Sequence, residues 1–135
     1  MSEPTEPTWL TLEEVLTLQR TAIEVFGGLH GVRDMGGLES ALAMPQSGFG
    51  GYLQHPDIWT QAAAYCFHIV KNHPFLDGNK RAGLMAARIF LGLNGWFLAE
   101  NDPSTDELIR SVAEGGASKE ELASFFRANS VFTGP

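Results

Sequence analysis

His73-Pro74-Phe75-Leu76-Asp77-Gly78-Asn79-Lys80-Arg81 brings a base, a carboxylate, a glycine turn and two cations together, directly ahead of an apolar stretch that runs to Asn94. A glycine turn that feeds a helix start leaves backbone N–H groups without intrahelical partners, and the helix dipole adds partial positive charge at the same place. Main chain alone can hold an anion there, and Lys80 and Arg81 reinforce the charge. Asp77 supplies the hard oxygen that Mg²⁺ prefers when it bridges a carboxylate and phosphate groups. Histidine exchanges protons readily near neutral pH, so His73 can take one from an attacking hydroxyl. Together these residues have the chemistry of a phosphate site.

Working outward, Ala82, Leu84, Met85, Ile89, Phe90, Leu91 and Leu93 occupy nearly every face of the stretch 79–94, which predicts a helix surrounded by protein and stopped at Gly95. On the other side, Ile58, Ala62, Tyr65, Cys66 and Ile69 keep helical spacing from Asp57 to Lys71 or Asn72. The motif is therefore the loop between two central helices. Thr11-Leu12-Glu13-Glu14 reads as a capping box for a helix over 12–26 that stops at Gly27-Gly28, with Gln19 the polar exception on its apolar side. Residues 29–37 read as a glycine-rich loop and 38–44 as a short helix ended by Pro45. Positions 46–56 have no helical period and read as a flap over a site. Trp96-Phe97-Leu98 is too short to classify, and Asn101-Asp102-Pro103 punctuates before a helix over 104–114. A last capping box, Ser118 to Glu121, opens a final helix, after which 129–135 is expected to fray. The whole reads as all-α.

At 135 residues with 44% hydrophobic content the chain suits one domain with a real core. The single Cys66 cannot form an intrachain bridge, suits a reducing compartment, and reads as a packing residue. Met1 to Thr8 carries Glu3, Pro4, Glu6 and Pro7, unlike a signal peptide, and no apolar run approaches the roughly 20 residues of a membrane span. A soluble, cytoplasmic protein is expected. The net charge of −7 disfavours nonspecific nucleic-acid binding, which makes Lys80–Arg81 a local attraction suited to a small phosphorylated ligand. The two helices around Gly115-Gly116 could be read as a DNA-binding helix-turn-helix. They offer only Arg110, Lys119 and Arg127 against Asp106, Glu107, Glu114, Glu120 and Glu121, a balance that opposes that reading.

The remaining candidates are weaker. His68 lies five residues before His73, on a different helix face, which argues against a shared metal site. His30 and His55 sit in loops and are expected at the surface, with His55 a weaker candidate for substrate contact through the flap. Arg33 and Asp34 suit either a structural pair or ligand contact. Phe49 and Tyr52 suit either docking of an extended target segment or tacking the loop down.

The chain resembles the Fic/Doc (Fido) superfamily, whose His-x-Phe-x-Asp/Glu-Gly-Asn-x-Arg signature is met by His73, Phe75, Asp77, Gly78, Asn79 and Arg81. It is most similar to the Doc, or death-on-curing, branch, through the Asn79-Lys80-Arg81 triplet, Gly27-Gly28, the stretch from Gly31 to Leu42, and Asn94-Gly95. The resemblance implies a bundle of about six helices over residues 9–128, with residues 1–8 a disordered tail and 129–135 a C-terminal tail. It implies His73 as general base, Asp77 as Mg²⁺ ligand, Gly78, Asn79, Lys80 and Arg81 as the nucleotide and phosphate cradle, and Phe75 as anchor of the loop. Fic proteins transfer AMP from ATP, whereas Doc-like members transfer the γ-phosphate to a protein Ser or Thr. Fic loops carry glycine where Lys80 stands, and a bulky cation there favours the Doc-like orientation of ATP. The implied target is a translation factor, elongation factor Tu, and the implied restraint is a separate Phd-like antitoxin. A built-in inhibitory helix has no match, since Ser111-Val112-Ala113-Glu114-Gly115 has the wrong spacing. AMP transfer and a catalytically silent binding module are the alternatives.

Overall fold

The structure is a computed structural model that describes residues 6–99 and 103–134. Capping side chains set most helix starts. Thr11 Oγ1 accepts from the Glu14 N–H at 3.1 Å and Glu14 Oε1 accepts from the Thr11 N–H at 2.8 Å, opening α1 (Leu12–Phe26). Asp34 Oδ1 accepts from the Gly37 N–H at 2.9 Å, so α2 spans Met35–Ala43 and begins before the expected Leu38 despite its two glycines. A 3₁₀ turn at Met44–Gln46 follows. The expected irregular flap contains a short antiparallel hairpin, β1 (Gly48–Phe49) and β2 (Tyr52–Leu53). Asp57 and Thr60 form a further capping box for α3 (Ile58–Asn72). Then come α4 (Asn79–Leu93), β3 (Trp96–Leu98), α5 (Pro103–Glu114), α6 (Lys119–Asn129) and β4 (Ser130–Phe132). The mostly α reading holds, with six helices and two small sheets among the described residues.

α3 is the central element, packed against α2, α4 and α6. Its Ala62, Ala63, Ala64, Tyr65, Cys66 and Ile69 are wholly buried, and burial pushes the Cys66 thiol up to about 12. A Cβ on Gly83 would lie 2.8 Å from Val70 Cγ2 and 3.0 Å from the Cys66 carbonyl oxygen, so glycine permits the close approach of α3 and α4. The Tyr65 hydroxyl accepts from the Leu10 N–H at 3.0 Å, and its ring packs 5.0 Å from that of Phe90. Buried apolar residues from Leu10 to Phe126 form one cluster.

Three expectations are corrected. α4 is not surrounded, because Ile89 and Leu93 reach the surface while Ala82, Ala86, Ala87 and Phe90 face the core. The chain after α6 does not simply fray, because β4 pairs with β3 through Trp96–Phe132, Phe97–Val131 and Leu98–Ser130. His55 is buried, not superficial: it lies beneath the α3 start, where its carbonyl accepts from Gln61 Nε2 at 3.0 Å. Residues 1–5 of the expected tail, and Asn101 and Asp102, lie outside the described residues.

His68 couples α3 to α6, its Nε2 lying 3.1 Å from Lys119 Nζ. Burial, then Lys119 and His55, hold the His68 pKa down at about 4, against 6.5 for an ordinary imidazole. The unfolded chain therefore binds the extra proton between these values, so this contribution to stability is complete above about pH 6.5 and is lost as pH falls toward 4. Urea unfolding is expected to show wild type losing about 1–2 kcal/mol more than His68→Gln on acidification, after allowance for solvent screening of a half-buried ring. Equal acid sensitivity of the two proteins would contradict this.

Candidate active site

The signature loop is shaped before any ligand is considered. His73 caps the C-terminus of α3 with φ 51° and ψ 52°, the one non-glycine residue with positive φ among the described residues. Its N–H donates to the Ile69 carbonyl at 3.2 Å. Residues 31–34 run antiparallel beside the loop through a Val32–Phe75 bridge, with the Leu76 N–H donating to Gly31 O at 3.0 Å. The Arg33 and Asp34 N–H groups both donate to Pro74 O, at 2.7 and 3.0 Å. Phe75 is wholly buried. Asn79, also buried, accepts from the Phe75 N–H at 2.9 Å through Oδ1 and donates to Phe75 O at 3.0 Å through Nδ2. Its side-chain amide thus ties the loop to the start of α4.

Gly78, the residue before α4, is left-handed and gives no side-chain cap, and the Ala82 N–H donates to Gly78 O at 2.8 Å. The N–H groups of Asn79, Lys80 and Arg81 precede that first helical bond, leaving an anion nest at the helix start. Asp77 is exposed, but its position is held from two sides: Oδ2 accepts from the Leu29 N–H at 3.1 Å and its carbonyl accepts from Gln19 Nε2 at 3.3 Å. A Cβ on Gly28, whose φ is +119°, would lie 2.8 Å from Asp77 Oδ2. The Arg81 guanidinium carbon sits 3.8 Å from the centre of the Phe26 ring, a cation–π contact that steadies an exposed cation.

These parts meet in one cavity of about 640 Å³ lined by His73, Asp77, Gly78, Asn79, Lys80 and Arg81, with Phe26 on one side and Arg88, Asp106 and Arg110 further along. That volume suits a nucleotide-sized ligand, since ligand pockets commonly run to roughly 300–1,000 Å³. The β1–β2 hairpin does not line it, although Phe49 and Tyr52 are strongly exposed. No group of three or more His, Cys, Asp or Glu converges as a metal cage among the described residues. The carboxylates on the cavity wall are Asp77 and Asp106, and Mg²⁺ characteristically takes one or two carboxylates and fills its other positions with phosphate and water oxygens.

Several positioning residues were not legible from the motif. Gln19 appeared only as a polar exception on an apolar helix face, and that exception was the signal of its bond to Asp77. Gly28 and Arg33 meet their partners across long sequence separations, so local pattern does not show what they touch. Of the cations of the last two helices, Arg127 lies over Trp59 at 5.1 Å, Lys119 meets His68 and Arg110 lines the cavity. That arrangement fits poorly with a DNA-reading face.

The chain belongs to the Fic/DOC family, whose model matches residues 9–91. It is 37% identical over 117 residues to a protein named Toxin Doc from Mycolicibacterium smegmatis, covering 85% of this chain and 88% of that protein. It is 30% identical over 115 residues to a protein named Protein kinase doc from Escherichia phage P1, covering 85% of this chain and 90% of that one. No helix among the described residues is long and apolar enough to cross a membrane.

Proposed function

We propose that this chain is a Doc-type toxin that uses ATP with Mg²⁺ to phosphorylate a Ser or Thr hydroxyl of a protein, elongation factor Tu being the target the family resemblance points to, and that a separate Phd-like antitoxin restrains it. The observation that carries the reading is the single cavity in which His73, the carboxylate of Asp77 and the cationic helix start at Lys80–Arg81 converge. His73 takes the proton of the target hydroxyl as its oxygen bonds to the γ-phosphorus. The bond between that phosphorus and the β–γ bridging oxygen breaks, and ADP leaves. The nest N–H groups, Lys80 and Arg81 stabilise the phosphate oxygens, Arg81 through the paired donors of its guanidinium. Bound at Asp77, Mg²⁺ would neutralise charge on the phosphates. Such a site suffices chemically because phosphoryl transfer depends mainly on positioning and charge stabilisation.

Lys80, exposed at the second position of α4, supports phosphate over AMP transfer because its side chain occupies space next to the nest. The name of the phage relative points the same way. Intact-mass analysis of elongation factor Tu after incubation with the protein and ATP is expected to show a phosphate increment. An AMP increment would replace the kinase reading with adenylyl transfer, and no increment on any target would remove the enzymatic one.

Gly28→Ala gives a graded test of the Asp77 support. The new methyl group would press on Oδ2 at a backbone conformation that disfavours side chains, so the apparent Mg²⁺ requirement for transfer is expected to rise about 10–100-fold, as for loss of an outer-shell partner. An unchanged Mg²⁺ titration would show that Asp77 tolerates displacement.

A further inference from the structure

Arg33 belongs to neither the signature nor the lining of the cavity, yet it grips the main chain on which His73 stands. Its Nε and Nη2 both donate to the His73 carbonyl oxygen, at 2.9 and 2.6 Å, and Nη2 also donates to the Asn72 carbonyl at 3.2 Å. These are terminal carbonyls of α3, where a helix leaves acceptors unpaired and a cation is favoured by the dipole. The residue so held is the one non-glycine in the left-handed region among the described residues. For an L-residue that conformation costs about 1–2 kcal/mol, so something around it must hold it in place.

We infer that Arg33 is a positioning residue for the general base: its guanidinium clamps the left-handed turn at His73 and thereby fixes where the imidazole enters the cavity. This deepens the proposed function and rests on it for the role of His73. The backbone of the same residue supports the geometry, because its N–H donates to Pro74 O and brings the 31–34 strand against the loop. Side chain and main chain of one residue therefore hold both ends of the His73–Pro74 unit. Lysine cannot reproduce the arrangement, since an ammonium lacks the planar fork that reaches adjacent carbonyls together. The clamp is solvent-exposed, so its loss should disturb local orientation more than global stability.

The test compares wild type, Arg33→Gln and Arg33→Lys in steady-state phosphate transfer, thermal unfolding and NMR of ¹⁵N-labelled imidazoles, with the His73 signal assigned by its loss in His73→Asn. Arg33→Gln is expected to lower kcat by about 10–100-fold with little change in KM for ATP, in keeping with the cost of a misplaced catalytic group. Its His73 ring signal should broaden or split, its melting temperature should stay close to wild type, and Arg33→Lys should recover only part of the rate. An unchanged kcat with an unchanged ring signal would overturn the inference. So would a loss of rate that tracks melting temperature in both variants while the His73 ring signal stays as in wild type. If the wild-type protein phosphorylates no target, the kinase reading fails, and the ring signal alone still decides whether Arg33 orders His73.

Discussion

Replacing His73 is expected to lower phosphate transfer by about 10²–10⁴-fold, the range over which a positioned general base acts. The choice of substitution matters. Alanine in the left-handed region is strained by about 1 kcal/mol or more, so His73→Ala would confound lost chemistry with a loosened loop. Asparagine tolerates that region and lacks the imidazole, which makes His73→Asn the cleaner variant. Its carbonyl would still accept from Arg33, and its N–H would still close the α3 terminus on Ile69. The melting temperature and ATP affinity should therefore remain near wild type while turnover falls. Turnover within a few-fold of wild type would remove His73 from the mechanism.

Asp77→Asn is the second large effect. The amide is nearly isosteric and its oxygen can still accept from the Leu29 N–H, so the loop between α3 and α4 should persist. What is lost is the negative charge, and with it the carboxylate that the signature loop offers to a hard divalent cation. Transfer is expected to drop by about 10²-fold or more at ordinary Mg²⁺, in line with the several kcal/mol a metal can supply to developing charge. Calorimetry should show ATP binding becoming insensitive to Mg²⁺. Retention of a wild-type Mg²⁺ dependence would place the cation elsewhere, with Asp106 the other carboxylate at the cavity wall.

What could be read from the sequence was local. The capping boxes at Thr11 and Ser118 fix helix starts through side chains three residues apart, and both occur in the structure as read. The signature itself is contiguous, so its residues necessarily arrive together. Gly36 and Gly37 look like loop and place the start of α2 at Leu38, whereas the Asp34 carboxylate caps the helix across them. The β3–β4 pairing joins segments on either side of two helices, and neither three-residue strand has a period of its own. Likewise Arg33 reaches His73 across 40 positions and Gln19 reaches Asp77 across 58, distances at which spacing carries no signal. The motif was visible, while the residues that aim it were set by tertiary packing.

The most direct measurement supplies ATP labelled at either the α- or the γ-phosphorus, in parallel, and follows which label becomes covalently attached to elongation factor Tu. Transfer of the γ-label alone, abolished in His73→Asn, is the predicted result. Attachment of the α-label, or γ-label transfer that persists without His73, would contradict it.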